Sequence, residues 1–278
     1  MNFTHVSVTI AIPFYNAEQF FEKAIESVID QSFSSWNLLL VDDGSTDSSM
    51  RIAKSYAEKD NRIKVISDGQ NKNLGFRLNQ IPTLVTTEYL VRMDADDIMH
   101  PKKIEKQLTI FKENPYIDVL GTNAYSIDEN DQVFGIRYNP DSSYLADVTS
   151  FIHPTIMAKT KWFLDNPYDD KAIRIEDTEL WYRTLENNNF KMITEPLFFY
   201  REVGKDYYKK YFKANDAKPY ILKKYKNAPF WKKFFAGNVL KGLSYYIFNL
   251  LGKENYLIRR RNSIIMKKKN LNLFVYND

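Results

Sequence analysis

Asp94, Asp96 and Asp97 fall within four positions of one another in "VRMDADDIMHP" (residues 91–101), after an apolar run and just before a proline. Carboxylates gathered that closely repel one another, so a fold gains by placing a cation among them. On an extended backbone residues i and i+2 point to the same side, which aims Asp94 and Asp96 at one point beyond the strand. Oxygen-only ligands suit Mg²⁺ or Mn²⁺, and Mg²⁺ is typically shared between one or two carboxylates and substrate phosphates. The competing explanation is a helix N-terminus after Pro101, whose dipole favours acids at 96 and 97. A second acidic pair, Glu176 and Asp177 in "EDTELWYR", opens another helical segment, where the same dipole argument applies.

The elements around these acids alternate. "VSVTIAI" (6–12), "WNLLLVDD" (36–43), "RIKVIS" (62–67) and "TEYLVRMD" (87–94) read as strands, and residues 17–30, 46–60 and 102–114 have helical spacing. Strands alternating with helices predict βαβ units, an α/β fold and a mostly parallel, Rossmann-like central sheet. Ligands of such sheets bind beyond the carboxyl ends of the strands. Pro13, Phe14, Tyr15, Asp42, Asp43, Asp94 and Asp96 all fall there. Residues 117–138 read as strands with turns, 176–188 as a helix, and 191–194 and 197–201 as strands.

With 278 residues, 44% of them hydrophobic, the chain is long enough for a large core. It has no cysteine, which removes disulfides, thiolate metal sites and a cysteine nucleophile. The N-terminus lacks a signal-peptide pattern, so a cytoplasmic location is expected. The net charge of +4 hides an asymmetry: residues 205–278 carry 18 Lys and Arg against 4 Asp and Glu, whereas residues 1–204 carry 21 against 31. The expected organisation is a catalytic body over 1–204, with halves near 1–115 and 116–204, and a basic helical extension over 205–278.

Five stretches, in order over about residues 6–201, resemble the family 2 glycosyltransferases, inverting enzymes with the GT-A fold. They are "VTIAIPFYNAEQFFEKAIESVIDQSF", "LLLVDDGSTDSS", "NKNLGFRLN", "EYLVRMDADDIMHPKKIEKQ" and "EDTELWYR". The resemblance implies a nucleotide-sugar donor, most often a UDP-sugar, and an acceptor hydroxyl on a glycan or lipid-linked glycan. It implies that Asp94–Ala95–Asp96 is the DxD motif, with Asp96 on a divalent metal (Mn²⁺ or Mg²⁺) and Asp94 near the ribose or donor sugar, itself a second metal ligand. It implies that Asp43 sits at the uracil edge, that Pro13, Phe14 and Tyr15 line the base pocket, and that Asp177 is the general base with Glu176 beside it. Arg77, whose forked guanidinium suits a diphosphate, either reaches the donor or lies on a helix surface. Trp181, one helical turn from Asp177, is either a plate for the acceptor sugar or a core residue, and His153 either lines the acceptor pocket or is structural. Relatives commonly carry a histidine after "YR"; here "FYREVGKDYY" has none, which leaves Arg201 or Lys205 to supply positive charge.

Within 229–253 apolar residues recur at spacings of three and four, accompanied by Lys232, Lys233, Lys241 and Lys253 and followed by "RRR" (259–261) and "KKK" (267–269). A cationic amphipathic helix fits an anionic membrane surface through 229–269, giving a peripheral position at the inner face of the cell membrane. The rival is a stripe packed on its own domain or on a twin subunit in a homodimer. Two other function classes are weaker. A sugar nucleotidyltransferase would want a glycine-rich basic loop after the first strand, which "PFYNAEQFF" lacks. A nucleic-acid binder is not expected, because the body is acidic and the tail's aromatics follow helix periodicity.

Overall fold

A computed structural model describes residues 8–141, 151–202 and 206–275. Three strands build the first half: β1 (Val8–Phe14), β2 (Trp36–Asp42) and β4 (Tyr89–Arg92), with β3 (Ile63–Ile66) at the edge. β1 pairs parallel with both β2 and β4, and β2 pairs parallel with β3. Such strands must be apolar on both faces, and they are. Val8, Ile10, Ile12, Leu38, Leu40 and Val91 pack towards one layer, formed by α1 (Phe21–Ile29), α2 (Ser49–Ala57) and α4 (Lys103–Glu113). Ala11, Leu39, Val41 and Leu90 pack towards the other, formed by α3 (Asn73–Gln80), α5 (Thr160–Asp165) and α6 (Glu176–Thr184).

The second half turns the sheet antiparallel. β8 (Met157–Lys159) runs against β4 and β6 (Val119–Ile127) against β8, with β7 (Gln132–Arg137) next. β9 (Phe190–Arg201) is one long strand, where the sequence suggested two. It pairs parallel with β6 and antiparallel with the short β5 (Ile98–Met99). That second pairing draws the acidic stretch before β5 towards Arg201. The register of β6 with β9 shifts twice, at Thr122/Asn123 and Asn123/Tyr125, and Pro196 lies opposite Asn123 there, where a residue without an N–H is tolerated.

The basic extension is helical through α7 (Tyr207–Ala214), α8 (Lys218–Lys224), α9 (Pro229–Leu250) and α10 (Glu254–Arg259). It then adds β10 (Ile264–Asn270) to the edge of the sheet beside β7, before α11 (Asn272–Val275). β10 was not legible in "IIMKKKN", in which four of the seven residues are lysine or asparagine. On an edge strand such residues are tolerated because one face is solvated and charge there blocks further pairing. The apolar residues of α9 divide into two faces. Trp231, Phe235, Tyr245 and, between them, Asn238 and Gly242 are buried, and Tyr245 stacks on Tyr207 of α7 at 5.7 Å. Gly242 is needed for this approach, since a Cβ there would lie 2.6 Å from Phe212 Cε1. Val239, Leu240, Leu243, Ile247, Leu250 and Leu251 point to solvent.

Beneath the sheet, Lys103 of α4 is fully buried with its ammonium on Gln107 Oε1 at 2.8 Å. Burial pushes its pKa down to about 7. The folded value lies below the unfolded one, so the folded chain binds fewer protons between the two, and stability rises with pH across that window. Lys103→Met is expected to raise the urea midpoint near neutral pH. The gain should shrink by about 1.4 kcal/mol per pH unit towards pH ~9. Equal gains in paired urea titrations at the two pH values would disprove a charged-lysine cost.

Candidate active site

Chain reversals at the ends of β1, β2 and β4 bring the expected residues to one side of the sheet. Asp42 and Asp43 close β2 and shape the neighbouring loops. Asp42 accepts from Ser45 N at 2.9 Å and from Ser67 Oγ at 2.8 Å, so it fixes two turns. Asp43 is buried and accepts the backbone N–H groups of Lys72 (2.8 Å) and Asn73 (3.1 Å). Gly44 follows at φ +79°, and a Cβ there would come within 2.9 Å of the backbone of Gln70 and Asn71. The loop over 68–73 therefore packs directly on the end of β2.

Arg77 does not reach towards the Asp94 cluster as a diphosphate ligand would. It is fully buried, and all its N–H donors are engaged: Nε on Asp43 Oδ1 (2.9 Å), one terminal nitrogen on Asp68 and Gln80, the other on Asp68 and the Gln70 carbonyl. Helix α3 forms around this anchor, which holds the 68–73 loop against Asp43. Of the residues expected around the base, Tyr15 is exposed and free to cover a ring. Phe14 is buried against Phe21 at 4.5 Å between centroids, and Pro13 is buried in β1, so neither presents a side-chain face.

Asp94, Asp96 and Asp97 offer oxygens that all lie within 4.8 Å of one another. Desolvation in the crowded turn and the neighbouring Asp94 charge push Asp96, whose surface stays open to solvent, up to about 6, and burial with both neighbouring charges raises Asp97 well above the ordinary aspartate range. Asp97 Oδ1 accepts the Arg201 N–H at 2.7 Å, while its buried Oδ2 has no hydrogen-bond donor. Three crowded hard oxygens, one of them without a donor, fit a divalent cation. The sequence suggested two ligands; geometry adds Asp97 to the set. Arg201 is not the free cation expected in place of the missing histidine. Its Nε donates to the Asp96 carbonyl at 2.6 Å, its terminal nitrogens reach the Asp128 carbonyl (2.6 Å) and Asp131 (2.7 Å), and its plane covers Phe20 at 4.1 Å. It holds the acidic turn by its backbone. Lys205 lies outside the described residues.

The partner that sequence reasoning missed is Arg92. It is buried, with one terminal nitrogen 2.8 Å from Asp94 Oδ1 and with Nε and the other terminal nitrogen lacking acceptors. Its charge is felt by Asp94, Asp177 and Glu176 alike. The signal was present, because Arg92 is i−2 from Asp94 and must face the same way on a strand.

Asp94 and Asp177 line one cavity of about 550 Å³, together with Arg92, His153, Glu176, Tyr200 and Lys210. Asp177 is the second residue of α6, and its Oδ1 accepts the Thr178 N–H at 2.7 Å. Burial raises its pKa, against the pull of that N–H and of Arg92. Burial, followed by the Asp177 charge, pushes Glu176 up to about 7. His153 lines the cavity but is otherwise buried, hydrogen-bonded between Nε2 and the Tyr168 hydroxyl at 2.5 Å. Burial, then Arg92, depresses its pKa, which keeps the ring neutral. Trp181 is not an acceptor plate. It is 1% exposed and packs among Phe151, Trp162 and Phe190, anchoring α6 to the sheet. Glu179, also on α6, is fully buried and paired with Lys224 of α8 at 2.8 Å, so the basic extension braces the helix that carries Asp177.

Residues 9–227 match the family model "Glycosyl transferase family 2". The putative glycosyltransferase EpsE of Bacillus subtilis is 35% identical over 189 residues, 64% of this chain and 66% of its own length. The O-antigen biosynthesis glycosyltransferase WbnJ of Escherichia coli is 30% identical over 208 residues, covering 70% and 79%. Among solved structures, S. aureus TarS 1–349 in complex with UDP superposes with a TM-score of 0.61 at 18% identity, over 86% of this chain and 72% of that one, which supports the GT-A arrangement of the sheet and its flanking helices. With more than half of its length matched by the family model, the chain belongs to glycosyltransferase family 2.

Proposed function

We propose that the protein is an inverting, metal-dependent transferase that moves a sugar from a nucleotide diphosphate donor, most often a UDP-sugar, to a hydroxyl of a glycan or lipid-linked glycan in surface-polysaccharide assembly. One observation carries this reading: Asp94, from the acidic turn, and Asp177, from α6, line the same cavity. The UDP bound by TarS and the O-antigen role in the name of WbnJ support the donor and the pathway class. Asp96, Asp94 and Asp97 would hold Mn²⁺ or Mg²⁺, which when bound neutralises charge building on the departing diphosphate. Asp43 and Tyr15 receive the base. Asp177 accepts the acceptor hydroxyl's proton as that oxygen bonds to the anomeric carbon and the carbon–oxygen bond to the diphosphate breaks on the opposite face. Burial raises the Asp177 pKa above the ordinary aspartate range, which makes its carboxylate a stronger base.

The deciding experiment is thermal stabilisation and donor hydrolysis with UDP-, GDP- and dTDP-sugars, with and without Mn²⁺. UDP-sugars should raise the melting temperature only when Mn²⁺ is present. Indifference to all three nucleotides would remove the donor, and stabilisation of equal size in EDTA would remove the metal.

The outer face of α9 fits an anionic lipid surface. Leu240, Leu243, Ile247 and Leu250 form an exposed stripe beside Lys232, Lys233 and Lys241, and apolar residues flanked by cations match an anionic bilayer surface. Among the described residues no helix is long and apolar enough to cross a membrane. The protein is expected to sediment with phosphatidylglycerol-containing vesicles but not with pure phosphatidylcholine. Ile247→Glu/Leu250→Glu should abolish that sedimentation. If the double variant instead turned a dimer into a monomer and left vesicle binding intact, the face would be a subunit contact.

A further inference from the structure

Leu90 and Arg92 share one face of β4, and Leu90 is buried in the layer that holds α6. Arg92 is therefore directed into the layer that begins with Glu176 and Asp177. It is 5% exposed and has one ion pair, to Asp94 Oδ1 at 2.8 Å. Its Nε and its other terminal nitrogen have no acceptor among the described residues. A fold that needed this guanidinium only for packing would give those donors carbonyls, as it does for Arg77 and Arg201. What Arg92 has instead is carboxylates from two elements. Asp94 is in contact with it, and Asp177 and Glu176 lie beyond 4.0 Å but within its field, on the same cavity. The other groups around Asp177 compete little with it. Burial keeps His153 neutral and Tyr168 protonated. Arg174, in the turn before α6, and Lys210 of α7 are exposed, so water screens them. Arg137 and Arg261 also line the cavity but share Glu202, at 3.4 and 3.2 Å. Arg92 is the buried cation that both carboxylate sites feel.

We propose that Arg92 is a positioning residue shared by the two sites: one buried cation favours the charged carboxylate of Asp177 and restrains the negative charge of the Asp94 cluster, so that metal affinity and ionisation of the base are linked through it. The assignment rests on Asp177 as the base and on the Asp94 cluster as the metal site, as proposed above. It has consequences of opposite sign at the two places. Without the cation Asp177 is harder to ionise, whereas a divalent ion at Asp94 loses a neighbour that repels it. Removing a residue that only held the fold together would weaken both.

The test compares full-length Arg92→Gln and Arg92→Lys with the wild type by two measurements, after circular dichroism has shown which variants fold. Carbon-13 NMR follows the titration of the aspartate carboxyls, the Asp177 signal being the one missing from Asp177→Asn. Electron paramagnetic resonance of free Mn²⁺ gives the metal affinity without nucleotide. In Arg92→Gln the Asp177 midpoint should rise by about one pH unit. The same variant should bind Mn²⁺ about tenfold more tightly. Arg92→Lys keeps a cation in place, so both readings should stay at their wild-type values, and this variant decides the matter if Arg92→Gln does not fold. Weaker Mn²⁺ binding in a folded Arg92→Gln, or a lysine variant that shifts either reading, would overturn the proposal. A wild type that bound no Mn²⁺ would remove the metal site and this proposal with it. Mn²⁺ binding with an Asp177 midpoint unmoved in Arg92→Gln would remove the role of Arg92 alone and leave the transferase reading standing.

Discussion

Asp177→Asn is expected to lower the turnover number by about a thousandfold or more while leaving the affinity for UDP with Mn²⁺ unchanged, because a positioned general base contributes about 10²–10⁴-fold to rate. The substitution suits the question. Asn is close in shape to Asp, and its Oδ1 can keep the 2.7 Å bond from the Thr178 N–H, so α6 should start as before. What disappears is the ability to take a proton. Arg92 keeps its 2.8 Å contact with Asp94, so the change does not leave that buried cation alone. The wild type carries a further signature. A base works only when deprotonated, and burial raises the Asp177 pKa, so activity should fall with acidification through an apparent pKa above the usual aspartate range. The residual activity of Asp177→Asn should lack that acid limb. Glu176→Gln removes the neighbour pushed up to about 7, and should cost much less than Asp177→Asn. If Glu176→Gln proved the inactive variant and Asp177→Asn kept most of its turnover, the base would be Glu176.

The ease with which the two halves of this site could be read differs for a physical reason. The parallel half announces itself because each strand is apolar on both faces and ends on chemistry, so Asp43, Asp94 and Asp96 could be placed from periodicity alone. The direction of a buried long side chain could not. Arg77 and Arg201 look like phosphate ligands by type, but a guanidinium has five donors and the nearest unpaired acceptors claim them. For Arg77 these are Asp43, Asp68, Gln70 and Gln80; for Arg201, two backbone carbonyls and Asp131. Trp181 sits one turn from Asp177 in sequence, yet that face of α6 is the one buried against the sheet, as its neighbour Leu180 also is. Arg92 and Asp97 were overlooked for the opposite reason. Each lies inside an apolar or already explained run, and only contact across the fold shows what each one faces. The basic tail read as one apolar stripe because spacings of three and four cannot tell a helix with one apolar face from one with two. Gly242 and Asn238, the small and polar breaks in the pattern, mark the face that α7 covers.

Removing Arg77 should have the largest effect on stability of any single change near the donor side. Arg77→Leu is expected to cost about 3–5 kcal/mol, the usual penalty for deleting one partner of a buried ionic network. The cost arises from what remains. Asp43, buried at 6% exposure, would keep the Lys72 and Asn73 N–H groups but lose the one countercharge that it has within the salt-bridge range among the described residues. Asp68 would keep Lys72 at 2.8 Å and is part-exposed, so little of the penalty falls there. The Arg77 guanidinium, then Lys72, holds the Asp68 carboxyl well below the usual range; a depressed carboxylate pKa contributes stability above the unfolded value and loses it only in strong acid, so the penalty should persist across neutral pH. Arg77→Lys should recover part of the loss, since one ammonium can reach Asp43 or Asp68 but cannot serve Gln70 and Gln80 as well. Urea denaturation gives the first readout and UDP affinity the second. With the 68–73 loop released from Asp43, the nucleotide should bind at least about tenfold more weakly in Arg77→Lys, in which the ion pair survives but the loop geometry does not. A destabilised Arg77→Lys that bound UDP as tightly as wild type would show that the loop serves the fold alone, and that the base is held elsewhere than at Asp43.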